Sequence, residues 1–408
     1  MKNISVTIIA SIIGWTGIQS VAADPSAKFR QLYYFCQEPS CPDGSWPFAG
    51  VIDVEGILYG TTEEGGDASS GTVFALDLKT GAETVLHSFP SQQGDGAFPY
   101  AALLNWAGSL YGTTEAGGAQ DAGTVFSIDP NTGAEAVLHS FPSQQGDGVF
   151  PFANLIAVKG TLFGTTTSGG SGQGAYCGAC GTVFSIDPST GSETVLHSFC
   201  SQANCADGGG PTAGLIDSKG LLYGATGYGG NTECSGFGCG TVFSINPNTG
   251  SETVLYSFCS QANCADGEAP YGGVIVVKDI LYGTTQYGGE NDGGVVFSLN
   301  LETGAEKVLY SFCSKAGCVD GDGPVAGLTN KKNKLYGTTL QGGSDNQGTV
   351  FSIDSNTGTE QVLYSFCGLA NCADGSEPYT SLIEVKGTLY GTTFKGGNGS
   401  GTVFSLKP

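Results

Sequence analysis

The chain has 408 residues, with 15 Lys and Arg against 37 Asp and Glu, and a formal net charge of −22. A surface this acidic argues against nucleic acid or anionic membrane as the main partner, since both require basic side chains. The 14 cysteines and 68 glycines would suit a disulfide-stapled exported protein or a Gly-rich disordered one; the glycines recur at fixed places, which favours turns in an ordered fold.

Residues 1–23 read as a signal peptide. Lys2 supplies the positive end, Ile4 to Ile18 is mostly apolar, and Val21-Ala22-Ala23 offers small residues before Asp24. An uncleaved anchor is the alternative, but Ser11, Gly14, Thr16 and Gly17 interrupt a short apolar stretch and favour cleavage. No later segment approaches the roughly 20 apolar residues that span a bilayer. The expected mature chain, residues 24–408, is a single exported domain, extracellular or periplasmic, without a membrane span and monomeric.

From Leu58 onward a Leu-aromatic-Gly-Thr-Thr motif occurs seven times, with leucines at 58, 110, 162, 222, 281, 335 and 389. Phe163 replaces Tyr in the third copy and Ala225 replaces the first Thr in the fourth. Copies 52 to 60 residues apart mark stacked supersecondary units. Each unit holds four strand-like segments. Strand A is a small-small-apolar-apolar run such as Ala213-Gly214-Leu215-Ile216. Strand B is the repeated motif, always followed by Gly-Gly. Strand C is Gly-Thr-Val-Phe, or Gly294-Val295-Val296-Phe297 in the fifth copy. Strand D is Val-Leu-His/Tyr-Ser-Phe. A turn such as Asp-Pro-Asn-Thr-Gly at 129–133 joins C to D in six copies. In the seventh copy the sequence stops where this turn would begin, and the missing D strand is found at the other end, where residues 28–36 match Val362 to Cys367.

The predicted fold is therefore all-β: a seven-bladed propeller whose N-terminal strand completes the last blade and removes the open sheet edges. An open β-solenoid is the alternative, and it needs no split repeat. Strand A should line the axis, with small residues such as Ala49-Gly50 and Ala101-Ala102 at its start.

The run of Leu-Tyr-Gly-Thr-Thr, Gly-Gly, Gly-Thr-Val-Phe and Asp-Gly-x-x-Pro over essentially the whole mature chain resembles the bacterial GloVer-type tandem-repeat family. That resemblance implies an exported repeat domain and carries no particular activity. Family members bear variable C-terminal anchors; this sequence ends at its last strand, which favours release. The C–D hairpin is also similar to that of quinoprotein propellers, but those have eight blades and Trp docking motifs. Seven blades and three tryptophans, one of them in the signal peptide, speak against a quinone. No cofactor is expected, with calcium the one weak candidate.

Five D–A connections carry C-x4-C, at Cys36/Cys41, Cys200/Cys205, Cys259/Cys264, Cys313/Cys318 and Cys367/Cys372. Residues 89–96 and 141–148 lack both cysteines together. Two B–C loops add Cys177/Cys180 and Cys234/Cys239. Joint presence and joint absence predict seven local disulfides. The rival is a zinc site built from Cys177, Cys180, Cys234 and Cys239.

The D–A and B–C connections should share one face, and the B–C loops vary most, so the candidate site lies there, around the central channel. Each D–A loop has Asp-Gly-x-x-Pro, at Asp43, Asp95, Asp147, Asp207, Asp266, Asp320 and Asp374. These acids read either as a cation ring or as seven turn residues bonded to their own loops, and sevenfold repetition favours the turns. Variable aromatics on this face, Phe48, Tyr100, Phe152, Tyr228, Tyr271, Tyr287, Tyr379 and Phe394, suit sugar stacking, with packing in the channel as the bland alternative. His87, His139 and His197 occupy a strand-D slot that holds Tyr256, Tyr310, Tyr364 and Tyr34 elsewhere, and read as structural. Glu63, Glu64 and Glu115 depart from the repeat and are the weak catalytic candidates. The expected function is a secreted binding protein with glycans or extracellular proteins as partners. The alternatives are a carbohydrate lyase or hydrolase using those acids, and a purely structural extracellular module.

Overall fold

The computed structural model describes residues 27–90, 92–172, 180–231, 234 and 238–408. The signal-peptide reading and Cys177 lie outside these residues. Seven four-stranded antiparallel sheets follow one another around a ring. In the first blade the strands are Ile52–Val54 (A), Ile57–Thr62 (B), Thr72–Asp77 (C) and Glu83–Ser88 (D). The small residues expected to start strand A instead precede it, at 49–50 in this blade, and line the central channel.

Lys28–Tyr34 pairs antiparallel with Thr402–Lys407, from Lys28 opposite Lys407 to Tyr34 opposite Thr402. The first strand is thus strand D of the seventh blade, as the split repeat requires. A bulge between Gln31 and Tyr33 sets its register, as at the same position of strand D in the other blades.

One aromatic pair recurs at every blade interface. The Phe that ends strand D meets the strand-C Phe of the next blade edge to face, with centroids 4.9 to 5.2 Å apart: Phe35–Phe74, Phe89–Phe126, Phe141–Phe184, Phe199–Phe243, Phe258–Phe297, Phe312–Phe351 and Phe366–Phe404. Such pairs contribute about 0.5–1.5 kcal/mol beyond their buried area. The strand-C ring also explains the Gly of the repeated motif. A Cβ on Gly60 would lie 2.6 Å from Cζ of Phe74.

The two threonines of the motif have separate tasks. The first crosses to the next blade: Thr61 Oγ1 donates to the Ala101 carbonyl at 3.1 Å, and Thr392 Oγ1 to that of Ala49 at 2.8 Å across the closing seam. The fourth blade, with Ala225 in that place, has no such hydroxyl. The second stays home. Thr62 Oγ1 sits 2.8 Å from Thr72 Oγ1 and donates to the Glu64 carbonyl, fixing the start of the B–C loop.

Disulfides close Cys36–Cys41, Cys200–Cys205, Cys234–Cys239, Cys259–Cys264, Cys313–Cys318 and Cys367–Cys372. Cys180 is also disulfide-bonded. It lies against Cys200 and Cys205, whereas Cys234 and Cys239 lie against Cys259. Of the zinc alternative's cysteines, Cys180 is therefore not brought together with Cys234 and Cys239. Persistent disulfides point to an oxidising compartment. Among the described residues no helix is long and apolar enough to cross a membrane.

Candidate functional site

The D–A and B–C loops of each blade are zipped together. Short antiparallel bridges join Ser45 to Glu64, Gly209 to Tyr228, Glu268 to Tyr287, Asp322 to Gln341 and Ser376 to Lys395. Two-residue ladders do the same at 96–97 with 116–117 and at 148–149 with 168–169. Contact is close enough to exclude a side chain. Gly65, at φ +79°, would place a Cβ 2.6 Å from the Gly44 Cα. This pairing puts both sets of loops on one face, around a channel mouth of about 540 Å3.

The eight aromatic candidates fall into two groups. Phe48, Tyr100, Phe152, Tyr379 and Phe394 interlock over blades 7, 1, 2 and 3. Phe48 stacks on Tyr379 at 4.7 Å and Tyr100 on Phe152 at 4.5 Å, and Phe48 meets Tyr100 edge to face at 5.1 Å. Phe394 joins them beside Trp46, at 5.6 Å. These rings are half-buried in one another. On the opposite side Tyr228 and Tyr287 stay 44% and 45% exposed, and Tyr271 lies between them, 6.1 Å from the Tyr228 ring. Burial first, then the hydrogen bond to Tyr228, raises the Tyr271 hydroxyl well above its usual range. Glu268 adds a carboxylate whose pKa burial also raises.

Two of the three acidic candidates sit beside the interlocked rings. Tyr100 Oη donates to Glu63 Oε1 at 2.5 Å. Burial raises the Glu63 carboxyl and that hydrogen bond lowers it, while the nearby Glu64 and Glu115 charges raise it, for a net upward shift. Burial alone raises Glu115. Glu64 contributes its backbone to the bridge with Ser45.

The seven loop aspartates turn away from the channel into their own loops. Asp266 accepts Tyr256 Oη at 2.8 Å and the Ser260 and Gln261 N–H groups at 2.9 and 3.1 Å. Asp320 and Asp374 repeat this with Tyr310 and Tyr364. Burial would raise Asp207, but the His197 ring and the Ser201 and Gln202 donors hold it at about 2. The seventh tyrosine of the series is Tyr33, which donates to Asp43 at 2.8 Å. This corrects the expectation for Tyr34, which points outward. Counting back from the interface ring Phe35, as Tyr364 counts back from Phe366, gives Tyr33.

A third partner reaches each pair from the neighbouring blade, and the sequence did not announce it. Strand D of six blades begins with a glutamate, Glu83, Glu135, Glu193, Glu252, Glu306 or Glu360. Each packs against the His–Asp or Tyr–Asp pair of the blade before it. Burial and the facing aspartate push Glu83 and Glu306 up to about 7.

Among solved structures the chain is similar to the oligogalacturonate lyase of Vibrio parahaemolyticus, at 12% identity and a TM-score of 0.58 over 95% of each chain. An oligogalacturonate lyase in complex with manganese matches at 13% identity and 0.54, over 95% of this chain and 98% of that one. At such identities the likeness shows the propeller fold alone. No curated protein matches the chain in sequence. The model of the Gloeobacter/Verrucomicrobia repeat matches residues 20–177, 143–265 and 238–408. With seven blades built from that repeat, the chain belongs to the Gloeobacter/Verrucomicrobia repeat family.

Proposed function

We propose that this protein is a secreted, monomeric binding module that takes carbohydrate on the D–A/B–C face, at the tyrosine platform of blades 4 and 5. The observation that carries the reading is the exposure of Tyr228 and Tyr287 around Tyr271 on a disulfide-stapled rim. Tyrosine offers an apolar face to a sugar ring and a hydroxyl to its polar edge. Glu268 and Gln286 supply further polar atoms beside the rings. The rigid loops beneath the platform lose little freedom on binding. The test is binding of the oxidised chain, residues 24–408, to a glycan and polysaccharide array, with calcium and with chelator. A selective hit that Tyr228→Ala/Tyr287→Ala weakens tenfold or more supports the reading. A blank array sinks it and shifts the weight to protein partners or a structural role.

The Glu63–Tyr100 hydrogen bond, with Glu115 nearby, favours one second reading, a carbohydrate lyase or hydrolase using these acids on the same face. A carboxyl with a raised pKa suits proton transfer near neutral pH. Turnover of a bound glycan that Glu63→Gln abolishes while binding persists would establish it; binding without turnover would remove it.

A further inference from the structure

We propose that the interface between blades 2 and 3 holds a divalent transition-metal ion, bound by a strand-D His, the loop Asp that follows it, and the strand-D Glu of the next blade. The site is His139–Asp147–Glu193, on the outer strands and away from the channel mouth.

The seven interfaces provide an internal comparison. Where the slot holds Tyr256, Tyr310 or Tyr364, its hydroxyl donates to the loop aspartate at 2.7 to 2.8 Å, and the pair is complete. Histidine in the same slot completes it once: His87 Nε2 is within hydrogen-bond reach of Asp95 Oδ2, at 3.1 Å. His139 Nε2 stands 3.6 Å from Asp147 Oδ2, and His197 Nε2 stands 3.4 Å from Asp207 Oδ2. The first of these is beyond hydrogen-bond length. His139 is only 8% exposed, and its Nε2 is shielded from water without a hydrogen bond. Both carboxylate oxygens of Glu193 are in the same state. A buried polar atom left so is costly, and here the imidazole nitrogen faces a carboxylate in the same state.

Ligand spacing fits a metal ion. The nitrogen and the carboxylate oxygens of His139, Asp147 and Glu193 all lie within 4.8 Å of one another, as do those of His87, Asp95 and Glu135. Zinc bonds of about 2.0–2.2 Å put neighbouring tetrahedral ligands roughly 3.4 Å apart, near the His139–Asp147 spacing. The charges also balance, since two carboxylates and a neutral imidazole neutralise one divalent ion. An imidazole nitrogen among the donors suits zinc, copper or nickel over calcium, which takes oxygen ligands, and Co2+ is a spectroscopic stand-in for zinc. Asp147 Oδ2 accepts the Ser143 N–H at 2.6 Å and Ser143 Oγ at 3.0 Å; the hydroxyl must rotate aside, and the N–H bond stays beside the ion. Asp147 keeps its Gly148 N–H bond at 2.7 Å on the other oxygen. The His87 cluster, whose imidazole is paired with Asp95, and the His197 cluster are left out.

Chelator-stripped, oxidised protein titrated with Co2+ should develop a visible d–d band and bind Co2+ or Zn2+ by calorimetry. One equivalent should bind, and it should be lost in the His139→Tyr variant. Tyrosine is the residue that this fold places at the same position in blades 4 to 6, so the variant should fold. Should it not, Glu193→Gln keeps the shape, removes one oxygen ligand and is read by the same titration. Failure of the wild type to bind, or binding that either folded variant leaves intact, overturns the proposal. The carbohydrate array reads the tyrosine platform of blades 4 and 5 and this titration the outer strands of blades 2 and 3, so the two readings stand or fall separately.

Discussion

Phe29 lies flat on Tyr364, with ring centroids 4.0 Å apart and planes 8° from parallel. Six blade interfaces set a glutamate at this position of strand D; the interface between blades 6 and 7 sets this ring. Phe29 also packs on Phe404, at 5.6 Å. It therefore ties the closing strand to both neighbours. Phe29→Ala should cost about 2–4 kcal/mol, as truncation of a packed aromatic does, and should loosen the seam first. Chemical denaturation of variant and wild type reads the loss, and hydrogen exchange should show residues 28–34 released ahead of the other strands.

Glu306 predicts a pH dependence. Burial, then the Asp266 charge, raises its pKa from 4.5 to about 7, against the opposing hydrogen bond of Tyr256. An acid raised on folding favours the fold when protonated. Its contribution is complete below about 4.5 and is lost as pH climbs through about 7. Glu306→Gln should therefore raise Tm at pH 8 and leave it nearly unchanged at pH 5. Equal shifts at both pH values would show that this carboxyl is not held protonated.

The interblade hydroxyl makes a third case. Thr61→Val keeps the shape but leaves the Ala101 carbonyl without its 3.1 Å donor, a loss of about 1–3 kcal/mol. The urea midpoint should drop with the slope unchanged. The fourth blade tolerates Ala225 in this place, so the variant should still fold.

The staples are expected to matter locally. A loop as short as the one between Cys259 and Cys264 constrains the unfolded chain by at most about 2 kcal/mol. Cys259→Ser/Cys264→Ser should lose no more than that and still close the ring, because the D–A loops at 89–96 and 141–148 take their places without cysteine. A variant that fails to fold would mean that this disulfide holds more than its own loop.

Most of the architecture was legible because it is written seven times. Repeated Leu-Tyr-Gly-Thr-Thr fixed the blade number, and the stranded D segment at 28–36 fixed the closure. Packing among the face aromatics was anticipated as an alternative, but which of them interlock was not legible, since loop residues 52 apart such as Phe48, Tyr100 and Phe152 meet only when the ring curves them together. The strand-D glutamates were visible as letters, but their partners belong to the preceding blade, and no period within one repeat reports a contact between two. Tyr34 was misplaced by one residue because two tyrosines stand side by side. In a strand a one-residue slip turns a side chain to the opposite face, and only the buried Phe35 distinguishes the two.

The seam between residues 28–34 and 402–407 makes the order of the blades a matter of covalent convenience. Lys28 faces Lys407, so the two ends of the sheet-forming chain are neighbours. A short linker between them, with a new start cut at the 129–133 hairpin, would keep both partners at all seven interfaces. Such a permuted chain would carry the same circle entered at a different point, and could present a fusion partner on the hairpin face, opposite the tyrosine platform.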